Sequence, residues 1–450
     1  METALILLAA GKGTRMNSDL PKVLHKIAGD PMLIHALEAG KVLQPARTIV
    51  VAGHEAEQVR ATVQGHNGEI DVVVQDAQRG TAHAVAQAHQ ALHDFDGTAF
   101  VLYGDTPFIK PETLLKMRDT LASSDVVVLG FDAIDPARYG RLVIADGQLE
   151  RIVEFKDASD EERSISICNS GVIASRSNLL FDLIDAVNPR NAAEEFYLTD
   201  IVQIARERGL SALAVLCDET ETLGINTRAD LVAAEAAFQS RARAALIDHG
   251  VTLIAPETVF LSRDTKIGRD AIIEPNVVFG PGVRIEAGAT IRSFSHLEGC
   301  HVAAGSIVGP YARLRPGATL AENVRIGNFV EVKNTRIGQA AKVNHLSYLG
   351  DANVGENANI GAGTITCNYD GVQKHRTHIG ANAFIGSNTM LVAPVTIGDG
   401  ALTGSGSVIT VDVSSDALAI ARAPQVEKPG LARKMFELFK SRSHKGQKES

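Results

Sequence analysis

A chain of 450 residues, 45% hydrophobic and 22% charged, is long enough for two or three domains with real cores. Its 44 Lys and Arg against 53 Asp and Glu leave a formal charge of −9, which argues against general affinity for nucleic acid or anionic membranes. No apolar run reaches the roughly 18 residues of a membrane span, and Cys168, Cys217, Cys300 and Cys367 form no C-x-x-C pair, as expected of reduced thiols in a cytosol.

The N-terminus, METALILLAAGKGTRM, has an apolar core too short and too Gly-rich for a signal peptide. Residues 1–226 alternate apolar, β-branched runs (4–10, 48–52, 71–75, 99–103, 125–131) with helical stretches (31–43, 55–65, 81–93, 111–122). That alternation predicts an α/β, Rossmann-like domain around a largely parallel sheet covered on both faces. Ligands in such folds sit beyond the carboxyl ends of the strands. GKGTRM after the first strand and GDTP after the fourth stand there.

Residues 227–249 read as a helical arm. Thr227 with Asp230 forms a capping-box pattern, and Gly250 supplies a stop. From 250 to the end a second domain is expected. Within it, from about residue 267, aliphatic residues recur every six positions, beginning Ile267, Ile273, Phe279, Ile285, Ile291 and Leu297. After one-residue slips the pattern continues through Val302, Ile337 and Val354, and a last set begins at Ile379. Such hexads predict a parallel β-helix, three hexads per coil and about 4.8 Å between coils. Residues 367–378, CNYDGVQKHRTH, break the period and predict an excursion. The tail after about 423 is predicted to be a short basic helix with a frayed end.

Taken alone, Gly11, Lys12, Gly13 and Arg15, followed by Pro21 and Lys22, suit an anion: small residues let backbone approach, and Arg15 and Lys22 bring charge. The glycines match neither the dinucleotide fingerprint nor a P-loop. Asp105 reads either as a helix N-cap or as a ligand of Mg²⁺, a hard cation that prefers oxygen; Asn226 reads as a turn residue or a second ligand.

LAAGKGTRM, PKVLH, Q-x-x-x-x-GTAHA, YGD, YGR, VE-x-KD, N-x-G and GIN, in that order, resemble the sugar-nucleotide pyrophosphorylases. Adding RLRPGA, IGNFVEVKN, NHLSYLGDA, NIGAGTITCNYDG and IGSN, nearly the whole chain resembles the bacterial bifunctional N-acetylglucosamine-1-phosphate uridyltransferase/glucosamine-1-phosphate N-acetyltransferase family. The resemblance implies a left-handed coil, a cytoplasmic homotrimer without a membrane span or nucleic-acid partner, and acyl sites between neighbouring subunits. It implies that Leu8, Ala9, Ala10, Gly11, Lys22, Gln75, Gly80 and Thr81 contact the UTP nucleotide and Arg15 the phosphates. Tyr103, Gly104, Gly140, Glu154 and Asn169 would line the sugar side, with Asp105 and Asn226 on Mg²⁺.

In the second half, one coil of about 18 residues separates Arg315 from Lys333, so the two should stack on one face. Stacked cations repel unless an anion such as a sugar phosphate bridges them; the alternative is pairing with Glu331 or another carboxylate. His345, with Tyr348 three places on, is the best candidate general base, since a pKa near 7 suits deprotonation of an attacking amine. The resemblance gives Arg315, Lys333, Tyr348 and Asn359 to glucosamine-1-phosphate and makes His345 the proton acceptor. It gives Ala362, Asn368, Tyr369, Ser387, Ser405 and Arg422 to acetyl-CoA, with Ser405 a departure from the Ala expected there. The expected activity is therefore acetylation followed by uridylyl transfer. A nucleotidyltransferase with a merely structural β-helix, or a non-catalytic sugar-nucleotide sensor, are the alternatives.

Overall fold

A computed structural model describes residues 2–446, with side chains as far as Lys440. By internal contacts the chain divides into Met1–Ala244 with Leu261–Arg263, and Ala245–Phe260 with Asp264–Ser450. The division falls inside the helix Arg228–Asp248.

The first unit is built on a sheet whose main path runs, in spatial order, Ala212–Cys217, Val126–Asp132, Ile167–Arg176, Thr98–Tyr103, Thr3–Ala9, Arg47–Ala52 and Asp71–Val74. Its pairings are parallel except those of Ile167–Arg176, which runs antiparallel to both neighbours. All seven residues of Thr3–Ala9 are buried, which explains a strand with no polar alternation: helices cover both of its faces. Alternate side chains enter two cores, Ala4, Ile6 and Leu8 on one face and Leu5, Leu7 and Ala9 on the other.

The predicted strands form within a residue or two of their expected ends, and so do most of the helices. The stretch 81–93 differs. It is α-helical only over Thr81–Ala86, then tightens through bonds from Ala88 to Val85 and from His89 to Ala86 into a short 3-10 turn, Gln90–Leu92. His89 there stacks on Phe181 at 4.5 Å, a tertiary contact that sequence periodicity does not report.

The arm begins as its sequence predicts. The Asp230 amide donates to Thr227 Oγ1 at 3.1 Å, and Asp230 Oδ2 accepts from the Thr227 amide at 2.8 Å. At its end Gly250 takes φ 88°, with its amide bonded to Ile247 and that of Val251 to Leu246. Leu261 rejoins the first unit because Gln239 bonds both its carbonyl (2.7 Å) and its amide (2.9 Å).

The second unit carries three parallel sheets of ten, eight and eight short strands, visited in turn. Ile267 pairs with Ile285 and Ile285 with Val302; Ile273 with Ile291 and Ile291 with Val308; Phe279 with Leu297 and Leu297 with Leu314. These are the hexad positions, and they point inward in buried columns. The small residues Ala271, Ala289, Ser295, Ser306, Ala312, Ala318 and Ala358 are buried beside them, where a larger side chain would push the walls apart. Thr366 occupies an inward position expected to be aliphatic; its hydroxyl accepts the Gly350 amide at 2.8 Å, which makes burial tolerable. The excursion leaves at Cys367 and returns at Thr377, folded on a bridge between Tyr369 and Lys374.

The tail is a helix, Leu431–Gly446; the frayed end expected beyond it lies outside the described residues. Among the described residues no helix is long and apolar enough to cross a membrane.

Candidate functional site

At the carboxyl ends of Thr3–Ala9 and Thr98–Tyr103 lies a cavity of about 330 Å³. Leu8, Ala9, Ala10, Gly11, Lys22, Gln75, Gly80, Thr81, Tyr103 and Asp105 all line it, so most of the expected nucleotide residues share one space. Two glycines show why the local sequence is fixed. A Cβ on Gly13 (φ 60°) would lie 2.6 Å from the Lys22 Cβ, and one on Gly80 (φ 116°) would lie 2.4 Å from the Phe196 carbonyl. Gln78, absent from the sequence expectations, donates to the Ala10 carbonyl at 2.5 Å and closes one wall. Arg15 is not in the lining. It stands exposed on the turn Thr14–Met16, where its charge is felt by Asp230.

Lys22 Nζ contacts Asp105 Oδ2 and lies 3.0 Å from Asn226 Oδ1. The two proposed Mg²⁺ ligands therefore converge on one point that already accepts a cation, and both offer oxygen, which fits a hard divalent ion. Among the described residues there is no group of three or more His, Cys, Asp or Glu that could hold a metal alone. A magnesium ion that keeps waters and takes its remaining oxygens from phosphates needs no such group.

Of the residues expected on the sugar side, Tyr103 lines this cavity, while Gly104, Gly140, Glu154 and Asn169 are not in its lining. The Gly104 amide bonds the Leu8 carbonyl (2.9 Å), the Asn169 amide bonds the Gly140 carbonyl (2.8 Å), and a Cβ on Gly140 would touch Glu154. Burial, then Glu154 and Asp105, push the Tyr103 phenol up, so it stays a neutral donor. Burial also raises Glu154, partly offset by the Thr199 hydroxyl at 3.2 Å. Asp200, behind Glu154, is pushed to about 6 by burial, then by Glu154 and Asp157. A carboxyl raised on folding stabilises the fold below its unfolded pKa near 3.8, and that contribution is lost as pH rises through about 6. Asp200 is half-buried, so screening cuts the effect to on the order of 1 kcal/mol. Asp200→Asn should thus raise the melting midpoint of the first unit by a few degrees at pH 8 and change it little at pH 4.5. Scanning calorimetry at the two pH values checks this; equal shifts would remove titration as the cause.

In the coil, Arg313 pairs with Glu331 and Leu314 with Val332, so Arg315 and Lys333 occupy equivalent positions on successive coils. The stack exists, but its charge is answered differently from the bare cation pair expected. Arg315 Nη1 is paired with Glu331 Oε1 at 2.8 Å, the alternative raised for it. Lys333 forms no ion pair among the described residues. It faces Lys374 from the excursion, and that second ammonium draws its pKa down. Lys333 and Lys374 bring two ammonium groups together, answered in part by the Asp351 carboxylate, and an anion would relieve the rest. Burial pushes the Asp351 carboxyl up, but amides from Asn334 and Asn368 (2.5 Å each), with Lys333 and Lys374, hold it below the usual range. Lys374→Ala should raise the KM for an amino-sugar phosphate about tenfold or more with little change in kcat, the loss of one charge-assisted bond. Steady-state kinetics at varied sugar phosphate checks it.

His345 and Asn328 are register partners on the ten-stranded sheet, with His345 Nδ1 2.8 Å from Asn328 Oδ1. Tyr348 starts the next sheet, paired with Glu331, and its hydroxyl lies over Gly350, where a Cβ would approach it to 2.4 Å. Asn359 lies one coil on, paired with Lys342. Ala362, Ser387 and Ser405 follow the paired strands at matching positions of successive coils, and Arg422 lies beside Gly406. Asn368 and Tyr369 do not join this column. They belong to the excursion, with Asp351 and Lys374.

Residues 5–166 match the model of the MobA-like NTP transferase domain, and residues 264–299 and 376–410 match the bacterial transferase hexapeptide repeat. The Bifunctional protein GlmU of Roseobacter denitrificans is 64% identical over 450 residues, covering all of both chains. That of Ruegeria sp. is 64% identical over 98% of each chain, and that of Sphingopyxis alaskensis 52% over 99% of each. The chain belongs to the GlmU family. It is a bifunctional transferase that acetylates glucosamine-1-phosphate with acetyl-CoA and transfers UMP from UTP to the N-acetylated product, yielding UDP-N-acetylglucosamine and pyrophosphate. The GlmU coil is the left-handed parallel β-helix of hexapeptide transferases. Two residues beside His345 and Lys333 escaped sequence reasoning: Lys374 lies in an aperiodic segment, and Asn328 shows no signal until the register brings it to His345.

Proposed function

We propose that uridylyl transfer runs in the cavity of the first unit, and acetyl transfer on the coil around His345, with the following division of labour. Leu8, Ala9, Ala10, Gly11, Gln75, Gly80 and Thr81 hold the uridine nucleotide. Tyr103, Gly104, Gly140, Glu154 and Asn169 hold the sugar. Arg15 and Lys22 meet the phosphates, Arg15 by swinging in from its exposed turn. Asp105 and Asn226 would hold Mg²⁺, whose charge, when bound, offsets that of the triphosphate. The sugar-phosphate oxygen attacks the α-phosphorus and pyrophosphate leaves. The reaction brings anions together, so positioning and neutralisation supply the catalysis, with no covalent nucleophile.

On the coil, Arg315, Lys333, Tyr348 and Asn359 bind glucosamine-1-phosphate, with Lys374 added to the phosphate end. Ala362, Asn368, Tyr369, Ser387, Ser405 and Arg422 border acetyl-CoA. With Asn328 Oδ1 facing it, His345 Nδ1 is the protonated nitrogen and Nε2 is free to accept a proton. The amine attacks the thioester carbonyl, Nε2 takes the amine proton, the C–S bond breaks and CoA leaves. The observation that carries this reading is the His345–Asn328 pair on a rigid coil that also bears the Lys333–Lys374 cation pair.

Assembly as a homotrimer in the cytoplasm completes the reading. Phe294, Tyr311 and Phe329 stack at 4.9 and 5.3 Å in left-handed corner conformations, with Leu346 following; all four are about half exposed. Such a ladder favours burial against another copy. The separation of Asn368 and Tyr369 from the Ser387 column also supports an acyl site shared between copies. Incubating the protein with glucosamine-1-phosphate, acetyl-CoA, UTP and Mg²⁺, omitting one at a time, tests the whole. Thiol release without UTP, and no pyrophosphate from glucosamine-1-phosphate and UTP without acetyl-CoA, are expected.

A further inference from the structure

The net charge of −9 conceals an uneven distribution. Residues 428–450 hold seven Lys or Arg (428, 433, 434, 440, 442, 445, 448) against Glu437 and Glu449, a local balance of +5 on an otherwise acidic chain. That positive charge is carried mainly by the helix Leu431–Gly446.

The described part of this helix is two-faced. At about 100° per residue, Leu431, Ala432, Met435, Phe436, Leu438 and Phe439 share one arc of roughly 160°. Leu431 is 41% exposed, Met435 46%, Phe436 66% and Phe439 52%. The polar residues fall on the other side in a definite order. Glu437 lies opposite the centre of the apolar arc and is paired with Arg433 at 3.3 Å. Lys434 stands near one border of the apolar arc; Arg433 and Lys440 stand near the other.

Cations bordering an apolar arc, with the carboxylate at the far pole, are what a helix lying in a lipid headgroup layer requires. The apolar side chains enter the acyl boundary, the flexible cationic stems reach lipid phosphates beside it, and the acid stays in water. Residues 420–430, exposed and without helix or strand, contain Pro424, Pro429 and Gly430 and form a tether of roughly 36 Å when extended. From this arrangement we infer that the C-terminal helix is an anchor for an anionic lipid surface. General membrane affinity remains excluded by the acidic remainder of the chain; the contact is confined to this helix.

The test is co-sedimentation of the full-length protein with vesicles of phosphatidylcholine alone or mixed with phosphatidylglycerol. Binding to the mixed vesicles, weakened by salt, is expected, with little to the neutral ones. Each of Arg433→Gln, Lys434→Gln and Lys440→Gln should weaken partition about five-fold, and Phe436→Glu/Phe439→Glu should abolish it, while both transferase activities in solution stay at the parent level. No binding to phosphatidylglycerol vesicles, equal binding to neutral ones, or retention by the double Glu variant would overturn the inference. So would a lower mass for the double variant in light scattering without any vesicle binding by the parent, which assigns the apolar arc to a second copy of the chain.

Discussion

Replacing Asp105 by Ala is expected to abolish uridylyl transfer, read as pyrophosphate release, and to leave acetyl transfer, read as free thiol, at the parent rate. Asp105 sits in the turn two residues past the buried strand Thr98–Tyr103, whose position is set by pairing with Thr3–Ala9. It and Asn226 Oδ1 meet at the Lys22 ammonium, one location suited to a cation beside the triphosphate. Charge stabilisation at such a point is worth several kcal/mol, so the expected loss is on the order of 10³-fold or more. Asp105→Asn separates charge from shape: it keeps the side-chain volume and still loses most of the rate. The proposed acetyl site draws its residues from the coil, a different contact unit, so it should not respond. If a variant with an unchanged melting profile lost both activities together, the assignment of the carboxylate to the first reaction alone would fall.

The parts of this chain readable in advance are those written as a period. Inward hexad residues such as Ile285, Val302 and Leu320 are specified by burial alone, because their column has no other use for a side chain. The same periodicity gave the Arg315–Lys333 register, since one coil is a fixed count of residues. The same register explains why Glu331 takes Arg315, the alternative weighed from the sequence, whereas Lys374 reaches Lys333 from the excursion, whose path no repeat encodes. In the first unit the glycine-rich turn was legible because Gly13 must leave room for Lys22. Arg15 shows the limit: its residue type suits phosphate, yet its side chain stands outside the cavity lining. The break after Ala86 was likewise unreadable, since it depends on His89 meeting a ring nearly a hundred residues away.

His345→Ala is expected to cut acetyl transfer by 10²- to 10⁴-fold, the range of a positioned general base, while pyrophosphate release from N-acetylglucosamine-1-phosphate and UTP stays near the parent value. The more discriminating variant is Asn328→Ala. Asn328 touches neither reacting atom in the proposed scheme; it receives the Nδ1 proton of His345 and so fixes which nitrogen is free. Losing it leaves the imidazole able to rotate and to place its proton on Nε2, the wrong side for accepting one from the amine. The expected result is a drop of about tenfold in kcat for acetyl transfer with KM for both substrates little changed, because the hydrogen bond that biased the ring is gone. Asn328→Asp retains an acceptor at the same position. It should restore most of the rate, since a carboxylate at that position still accepts the Nδ1 proton and favours the imidazolium that forms during attack. A purely structural role would give the opposite pattern: Asn328→Ala would lower the melting midpoint of the coil and disturb both KM values, and Asn328→Asp, placing a charge at a half-buried corner, would be no better.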